Sequence, residues 1–341
     1  MYFLLSKTLI FLKNYFEKLA NLHNICYNDY CLILEKIKKG VFFMVNVITH
    51  GGTFHADEVF AIAILEYAFG NVNVSRVFEV PENLPNDTIV LDIGGGKYDH
   101  HQKGGNGVRE NGVPYASAGL IWKEYAKRVM ADSWFEELDE KDKNDVFEWI
   151  DRDLIQGIDA VDNGVMPKAD YPAKAMNISN IIAYFNPNWD SNESSDEAFE
   201  DAISMAMTIM YNCLDKAISK AKARKIVEKA IVEKSDNVMI MEKFVPWQEF
   251  VFSSENPEAG DIWYVVFPSN RGGWNVQAVP NELGSFQMRK PLPENWRGLQ
   301  GEALEKETGV ADATFCHRAG FLASASSFEA AKSLAILAAK S

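Results

Sequence analysis

Cysteine is scarce in this chain: Cys26, Cys31, Cys213 and Cys316 are the only four in 341 residues, and no two form a Cys-x-x-Cys pair. That excludes a disulfide framework and a zinc knuckle, and fits thiols kept in a reducing compartment. No apolar run reaches the roughly 18 residues needed to span a bilayer, so no membrane partner is expected and a cytoplasmic location is. Positive charge is in deficit too, with 34 Lys plus Arg against 48 Asp plus Glu and a net charge of −14. Non-specific affinity for nucleic acid comes mostly from neutralising phosphates with Lys and Arg, so a generic polyanion binder is excluded. A phosphate-bearing substrate would have to meet local positive charge, supplied by bound metal and a few basic residues. Signatures of other chemistries are also missing. There is no Gly-x-Ser-x-Gly, and no cysteine stands beside the histidines described below. Gly94-Gly95-Gly96 is neither a dinucleotide fingerprint nor a Walker loop, so NAD and ATP are not implied.

What is present is ample material for cores, with 47% hydrophobic residues, 21 Phe and 8 Trp. The length leaves room for two domains. Residues 1–43 mix lysines with acids and lack a cleavage site of signal type. They are expected to be an extension outside the catalytic fold, a misassigned start being one origin. An amphipathic helical hairpin or a membrane-surface anchor is the competing reading. From Met44 the pattern alternates strand and helix. Apolar runs at Met44 to Ile48, Val72 to Phe78 and Thr88 to Ile93 read as parallel strands buried on both faces. Val59 to Phe69, Ser117 to Ala131 and residues 142–158 read as helices. Asp196 to Lys234 reads as a long helical region, its Met205, Met207 and Met210 as core. Strands resume at Val238 to Met241, Ile262 to Phe267, Asn275 to Val279 and Ala313 to His317. The last helix opens with Ser326-x-x-Glu329, a capping-box pattern.

Acids and histidines gather at the ends of these elements. Thr49-His50-Gly51-Gly52-Thr53-Phe54-His55-Ala56-Asp57-Glu58 is a strand-to-helix turn, where an open α/β sheet places ligands. Its blander reading is a polar turn with Asp57 as N-cap. Asp92 ends the third strand before three glycines, where a merely turn-forming aspartate would also serve. Asp99-His100-His101 follows. Asp159 and Asp162 share a helix face and oppose the macrodipole at that helix's C-terminus, so they call for a cation. Four ligands per ion with one carboxylate shared would make a two-metal site, able to activate water and clamp a phosphoryl displacement. In the C-terminal half, Arg271, Arg289, Lys290, Arg297, His317 and Arg318 carry compensating charge. Arg271 beside Gly272-Gly273 allows close backbone approach and a guanidinium contact to phosphate, although each cation taken singly reads as solvated surface.

At these residues the chain resembles a known family. The opening turn, Tyr98-Asp99-His100-His101-Gln102, Asp159-Ala160-Val161-Asp162-Asn163-Gly164, Gly272-Gly273-Trp274-Asn275-Val276-Gln277-Ala278-Val279-Pro280, Pro293-Glu294-Asn295-Trp296-Arg297-Gly298-Leu299 and His317-Arg318-Ala319-Gly320-Phe321 resemble the melanocyte-proliferating-gene (MYG) family over about residues 44–340. That family is similar to the DHH phosphoesterase superfamily. The resemblance implies metal-dependent hydrolases, with eukaryotic members acting as 3′–5′ RNA exonucleases. It implies an α/β fold, with a DHH-like, mostly parallel sheet flanked by helices in a catalytic domain at 44–190. A helical connector at 191–236 and a smaller α/β substrate-binding domain at 237–341 would follow. Carried onto this chain, the metal ligands would be His50, His55, Asp57, Asp92, His100 and either Asp159 or Asp162. Asp92 would bridge two divalent ions. His101 would face the substrate phosphate, and Asp92 and His101 would be the catalytic pair. Arg271, Gly272, Gly273, Arg289, His317 and Arg318 would contact substrate. His50 lies one residue farther from its motif than in the related pyrophosphatases, which leaves the partition of ligands open. The imidazole content points to Mn²⁺, with Zn²⁺ or Mg²⁺ as alternatives. The expected partner is RNA or a short oligonucleotide, and a homodimer is compatible with the pattern. Small-molecule phosphohydrolysis and a non-catalytic metal-binding regulator are the rival functions.

Overall fold

A computed structural model describes residues 44–165 and 175–341. The expectations for residues 1–43, including Cys26 and Cys31, lie outside the described residues. The chain forms two compact units, one of residues 44–129 and 154–208 and the other of 130–153 and 209–341. The fold is mixed α/β. Among the described residues no helix is long and apolar enough to cross a membrane.

In the first unit, β1 (Val45–His50), β2 (Val72–Val77) and β3 (Ile89–Val90) form a parallel sheet in the order β2-β1-β3. Register pairs His50 with Val77 and Ile48 with Val90, so the carboxyl ends of all three strands meet at one edge. That edge carries the site. The strand expected over Thr88 to Ile93 is shorter than its apolar run. Asp92 turns it with a left-handed φ of 57°, and Asp92 N–H donates to Tyr98 O at 3.0 Å instead of continuing the ladder. Helix α1 (Ala56–Phe69) is buried without a break from Ala56 to Leu65, which explains its apolar circumference. It stops at Gly70, whose positive φ of 76° lets its N–H close on Glu66 O, a glycine C-cap. Helix α2 (Ser117–Val129) packs along it.

Helix α3 (Glu140–Ile150) runs through a π-helical turn at Asp151–Ile155 into α4 (Gln156–Asp162), which stops at Asn163. Then come α5 (Ile178–Ala183) and α6 (Ser195–Val232). In the second unit β4 (Val238–Ile240), β5 (Tyr264–Pro268), β6 (Trp274–Ala278), β7 (Ala313–Cys316) and β8 (Leu322–Ala325) pair in the order β4-β5-β6-β8-β7. Only β4 and β5 are parallel. Helices α7 (Gln248–Ser253) and α8 (Glu302–Thr308) lie between strands in sequence. Helix α9 (Phe328–Lys340) buries Ala330, Ala331, Leu334, Ala335 and Ala338, its helical-spaced small face, in the core that the sheet lines. Its cap is Ser327, whose hydroxyl accepts from Ala330 N, and not the Ser326 of the capping-box pattern. Strand β8 is short and alanine-rich, which hid it from a reading based on β-branched runs.

Candidate metal centre

The turn from His50 to Glu58 joins β1 to α1. His55 is the N-cap of α1, and Glu58 at the third helical position accepts from His55 N at 2.9 Å, half of a reciprocal cap. Asp57 is therefore inside the first turn, not at the cap. It is fully buried, and its oxygens accept from Ser117 N at 2.8 Å and Ala118 N at 2.6 Å, at the start of α2. Two helix N-termini thus bear on one carboxylate. Each such placement stabilises a charge by about 0.3–2 kcal/mol, whereas burying an ion costs several kcal/mol even after relaxation. Dipoles alone do not close that gap.

Asp92 stands at the centre. Its Oδ2 is 3.3 Å from His50 Nε2, and its Oδ1 is 3.2 Å from His101 Nδ1 and 3.5 Å from His100 Nδ1. On one side His50, His55 and Glu58 offer ligand atoms within 4.8 Å of one another, and on the other Asp57, Asp92, His100 and Asp162 do the same. Asp92 touches both groups. The left-handed backbone at this non-glycine residue is of the strained kind found at functional sites.

His100 is buried, with Nε2 2.9 Å from Asp162 Oδ2 and Nδ1 3.8 Å from Asp57 Oδ2. His101 is turned outward, its side chain 62% exposed, and Asp99 holds it by accepting from its backbone N at 2.9 Å and lying 3.0 Å from its Nδ1. Asp159 is placed differently from Asp162. Its Oδ1 accepts from Gly119 N at 3.0 Å, and Arg109 Nη1 lies 2.8 Å from its Oδ2. A Cβ at Gly119 would fall 1.9 Å from that oxygen, so glycine is required there.

The electrostatics ask for cations. Among the described residues no lysine or arginine pairs with Asp57, Glu58, Asp92 or Asp162. Burial, then the charges of Asp92, Asp162 and Asp159, push the Asp57 carboxyl well above its ordinary value. Burial also raises Glu58, against the pull of His50. The carboxylates of Asp92 and then Glu58 beside its ring push His50 up to about 10. Burial works against charging His100, but Asp162 outweighs it and the imidazole is raised. Asp99 goes the other way: burial would raise it, yet the N–H groups of His101 and Gly95 hold it low. Glu58 Oε2, both carboxylate oxygens of Asp92 and His100 Nδ1 are among the buried atoms without a well-formed hydrogen bond, Asp92 meeting only imidazoles at 3.2–3.5 Å. Buried polar atoms are normally satisfied, and oxygens and imidazole nitrogens left open together suit a divalent ion of borderline hardness. The donor set fits metal.

Comparison with known proteins agrees on the lineage. Residues 46–339 match the MYG1 exonuclease family model, described as an uncharacterised protein family (UPF0160). The chain belongs to the MYG1 exonuclease family. The MYG1 exonuclease of Mus musculus is 32% identical over 305 residues, covering 80% of this chain and 79% of that protein. The MYG1 exonuclease of Homo sapiens is 31% identical over 317 residues, covering 84% of each chain. The MYG1 protein C694.04c of Schizosaccharomyces pombe is 30% identical over 319 residues, covering 86% and 96%. No solved structure matches the chain.

In this MYG1 family member the structure gathers His50, His55, Asp57, Asp92, His100, His101 and Asp162, and leaves Asp159 with Arg109. Glu58 joins them without having been singled out from the sequence. Its signal was available: an acid three residues after His55 within an unbroken apolar helix. The proposed substrate contacts belong to the second unit. Arg271 and Gly272 are exposed on the β5–β6 turn. The missing side chain of Gly273 makes room for Ala325 O, 2.4 Å from where its Cβ would stand, so this glycine is used by strand packing. Arg289 Nη1 donates to the carbonyls of Ala259, Gly260 and Ile262. Lys290 Nζ donates to Ala339 O, and Arg297 Nε to Leu292 O. His317 Nδ1 accepts from Ala319 N, with its ring 4.4 Å from that of Phe321, and Arg318 is exposed.

Proposed function

We propose that this chain is a cytoplasmic metal-dependent phosphodiester hydrolase, a 3′–5′ exonuclease on short or single-stranded RNA, with the DHH-like arrangement its motifs resemble. The single observation that carries the reading is Asp92, a buried carboxylate that meets no lysine or arginine among the described residues and whose two oxygens face imidazoles in two groups of ligand-bearing side chains. The relatives named MYG1 exonuclease support the reaction class.

His50, His55 and Asp92 would hold one divalent ion, and Asp57, Asp92, His100 and Asp162 the other. Mn²⁺ suits this mixture of imidazole and carboxylate. Bound there, such ions supply Lewis-acid polarisation of a phosphate and a nucleophilic water at neutral pH. Gly51 O, 3.2 Å from His50 Nδ1, is the kind of outer partner that fixes a ligand's tautomer, and it leaves Nε2 to face Glu58 at 3.0 Å and Asp92 at 3.3 Å. Asp99 Oδ1, 3.0 Å from His101 Nδ1, orients this exposed ring, which is the proposed contact to the substrate phosphate. Ser117 and Ala118 N–H groups anchor Asp57 against the repulsion of its neighbours. In the second unit, Arg271, Gly272, His317 and Arg318 are the proposed substrate contacts, whereas Arg289 and Gly273 are engaged by the backbone of their own unit.

The test is turnover across a panel running from pyrophosphate through dinucleotides to a labelled oligoribonucleotide, each with Mn²⁺ and with chelator. The reading expects 3′-end shortening of the oligoribonucleotide with Mn²⁺ only. Turnover confined to pyrophosphate would replace it with a small-molecule phosphohydrolase.

A further inference from the structure

Phe78 follows β2 directly, and β2 is in register with β1 so that Val77 lies beside His50. Gly51 N donates to Val77 O at 2.7 Å. The Phe78 ring therefore leans on the glycine pair of the metal turn. A Cβ at Gly51 would stand 3.3 Å from Phe78 Cζ, and one at Gly52 3.5 Å from Cε1. Yet Phe78 is 87% exposed. An exposed apolar residue means little in itself. Its place gives it meaning, since its backbone neighbour is the residue after His50. A second tie reaches the same turn. The Asn186 side chain accepts from Phe54 N at 2.9 Å and donates to Phe54 O at 2.8 Å. Tyr184 and Trp189, 73% and 96% exposed, flank that asparagine.

A chain of net charge −14 cannot rely on phosphate neutralisation for affinity. Single strands offer another handle: unstacked bases that lie on aromatic side chains, with little regard to sequence. We propose that Phe78 is the stacking platform for the base of the substrate's terminal nucleotide, and so a determinant of specificity for single-stranded ends. This rests on the phosphodiesterase reading above. Stacking on one aromatic ring corresponds to about 5- to 150-fold in affinity.

The experiment compares kcat/KM for two short oligoribonucleotides, one ending in a normal 3′ nucleotide and one in an abasic 3′ residue, with the full chain in Mn²⁺. Wild type should prefer the base-bearing end by about 5- to 150-fold. Phe78→Leu should bring that ratio to near one, and Phe78→Trp should keep it. Because the ring is solvent-facing, neither change threatens the fold. Hydrolysis with the wild-type ratio retained in Phe78→Leu, or no preference in wild type, would overturn the stacking role alone. Absence of hydrolysis of both ends by wild type would overturn the phosphodiesterase reading, and this proposal with it.

Discussion

Arg109 Nη1 lies 2.8 Å from Asp159 Oδ2, and both side chains are buried. Burial pushes the Asp159 carboxyl up to about 7, with Arg109 pulling the other way. The guanidinium also lies 4.1 Å over the Tyr115 ring. This pair fastens α4 to the start of α2, whose first N–H groups hold Asp57.

Asp159 and Asp162 should therefore respond differently to the same change. Breaking a buried pair by removing one partner costs about 3–5 kcal/mol, so Arg109→Leu and Asp159→Asn should lower stability by that order. Asp162→Asn should leave stability nearly unchanged and weaken Mn²⁺ binding. Chemical denaturation beside calorimetric metal titration separates the two effects. A reversed pattern would make Asp159 the ligand.

That distinction was not legible in the sequence. Two aspartates at i and i+3 share a helix face, so spacing could not choose between them. The residue that decides is Arg109, in a glycine-rich loop 50 positions before Asp159 in the chain. His50 and Asp92 stood out because each ends an apolar run at one sheet edge, and His55 and His100 because they lie in the glycine-containing turns that follow. Glu58 left a weaker signal, because an acid in the first turn of a helix resembles an ordinary cap residue. The arginines of the second half promised phosphate contacts by composition, but Arg289 is spent on backbone carbonyls that no local pattern reveals. Strand β8 and the truncation of β3 depend on tertiary pairing and on the conformation of Asp92, and neither leaves a periodic trace.

Arg76 is a positioning residue for the metal turn. Its Nη2 donates to Gly52 O, and its Nη1 to Ser195 O, Ser195 Oγ and Asp196. The guanidinium stacks 4.4 Å from the Phe199 centroid. Arg76→Met should loosen the Gly51-Gly52 turn, removing charge-assisted bonds to the half-buried carbonyls of Gly52 and Ser195 and leaving Gly52 O with the Ser195 hydroxyl alone, at about 1.5–3 kcal/mol for such a bond. The expected result is lower thermal stability together with weaker Mn²⁺ binding, and Arg76→Lys should restore only part of either. Unaltered metal affinity in a destabilised Arg76→Met would reduce the residue to a structural brace.

Glu66 gives the chain a stability slope away from the centre. Burial pushes its carboxyl up to about 7, with the charge of Glu200 adding to the shift and a hydrogen bond from Val72 opposing it. The folded form holds its proton longer than the unfolded chain, so this residue's contribution is whole below about pH 4.5 and is lost as pH rises through about 7. Glu66→Gln keeps an acceptor for Val72 and removes the charge. With metal chelated, the variant should match wild type near pH 4.5 and exceed it by about 1–2 kcal/mol at pH 8, the figure allowing for partial exposure of the group. Equal stability at both pH values would contradict the shift.

The most direct measurement follows a 5′-labelled short oligoribonucleotide under single-turnover conditions, with wild type and Asp92→Asn, each in Mn²⁺ and in EDTA. Asparagine tolerates the left-handed backbone at this position, so the fold should persist by circular dichroism. The account predicts a ladder shortening from the 3′ end for wild type in Mn²⁺, none in EDTA, and a loss of at least about 100-fold in Asp92→Asn. Cleavage that survives EDTA, or an Asp92→Asn chain as fast as wild type, would contradict it.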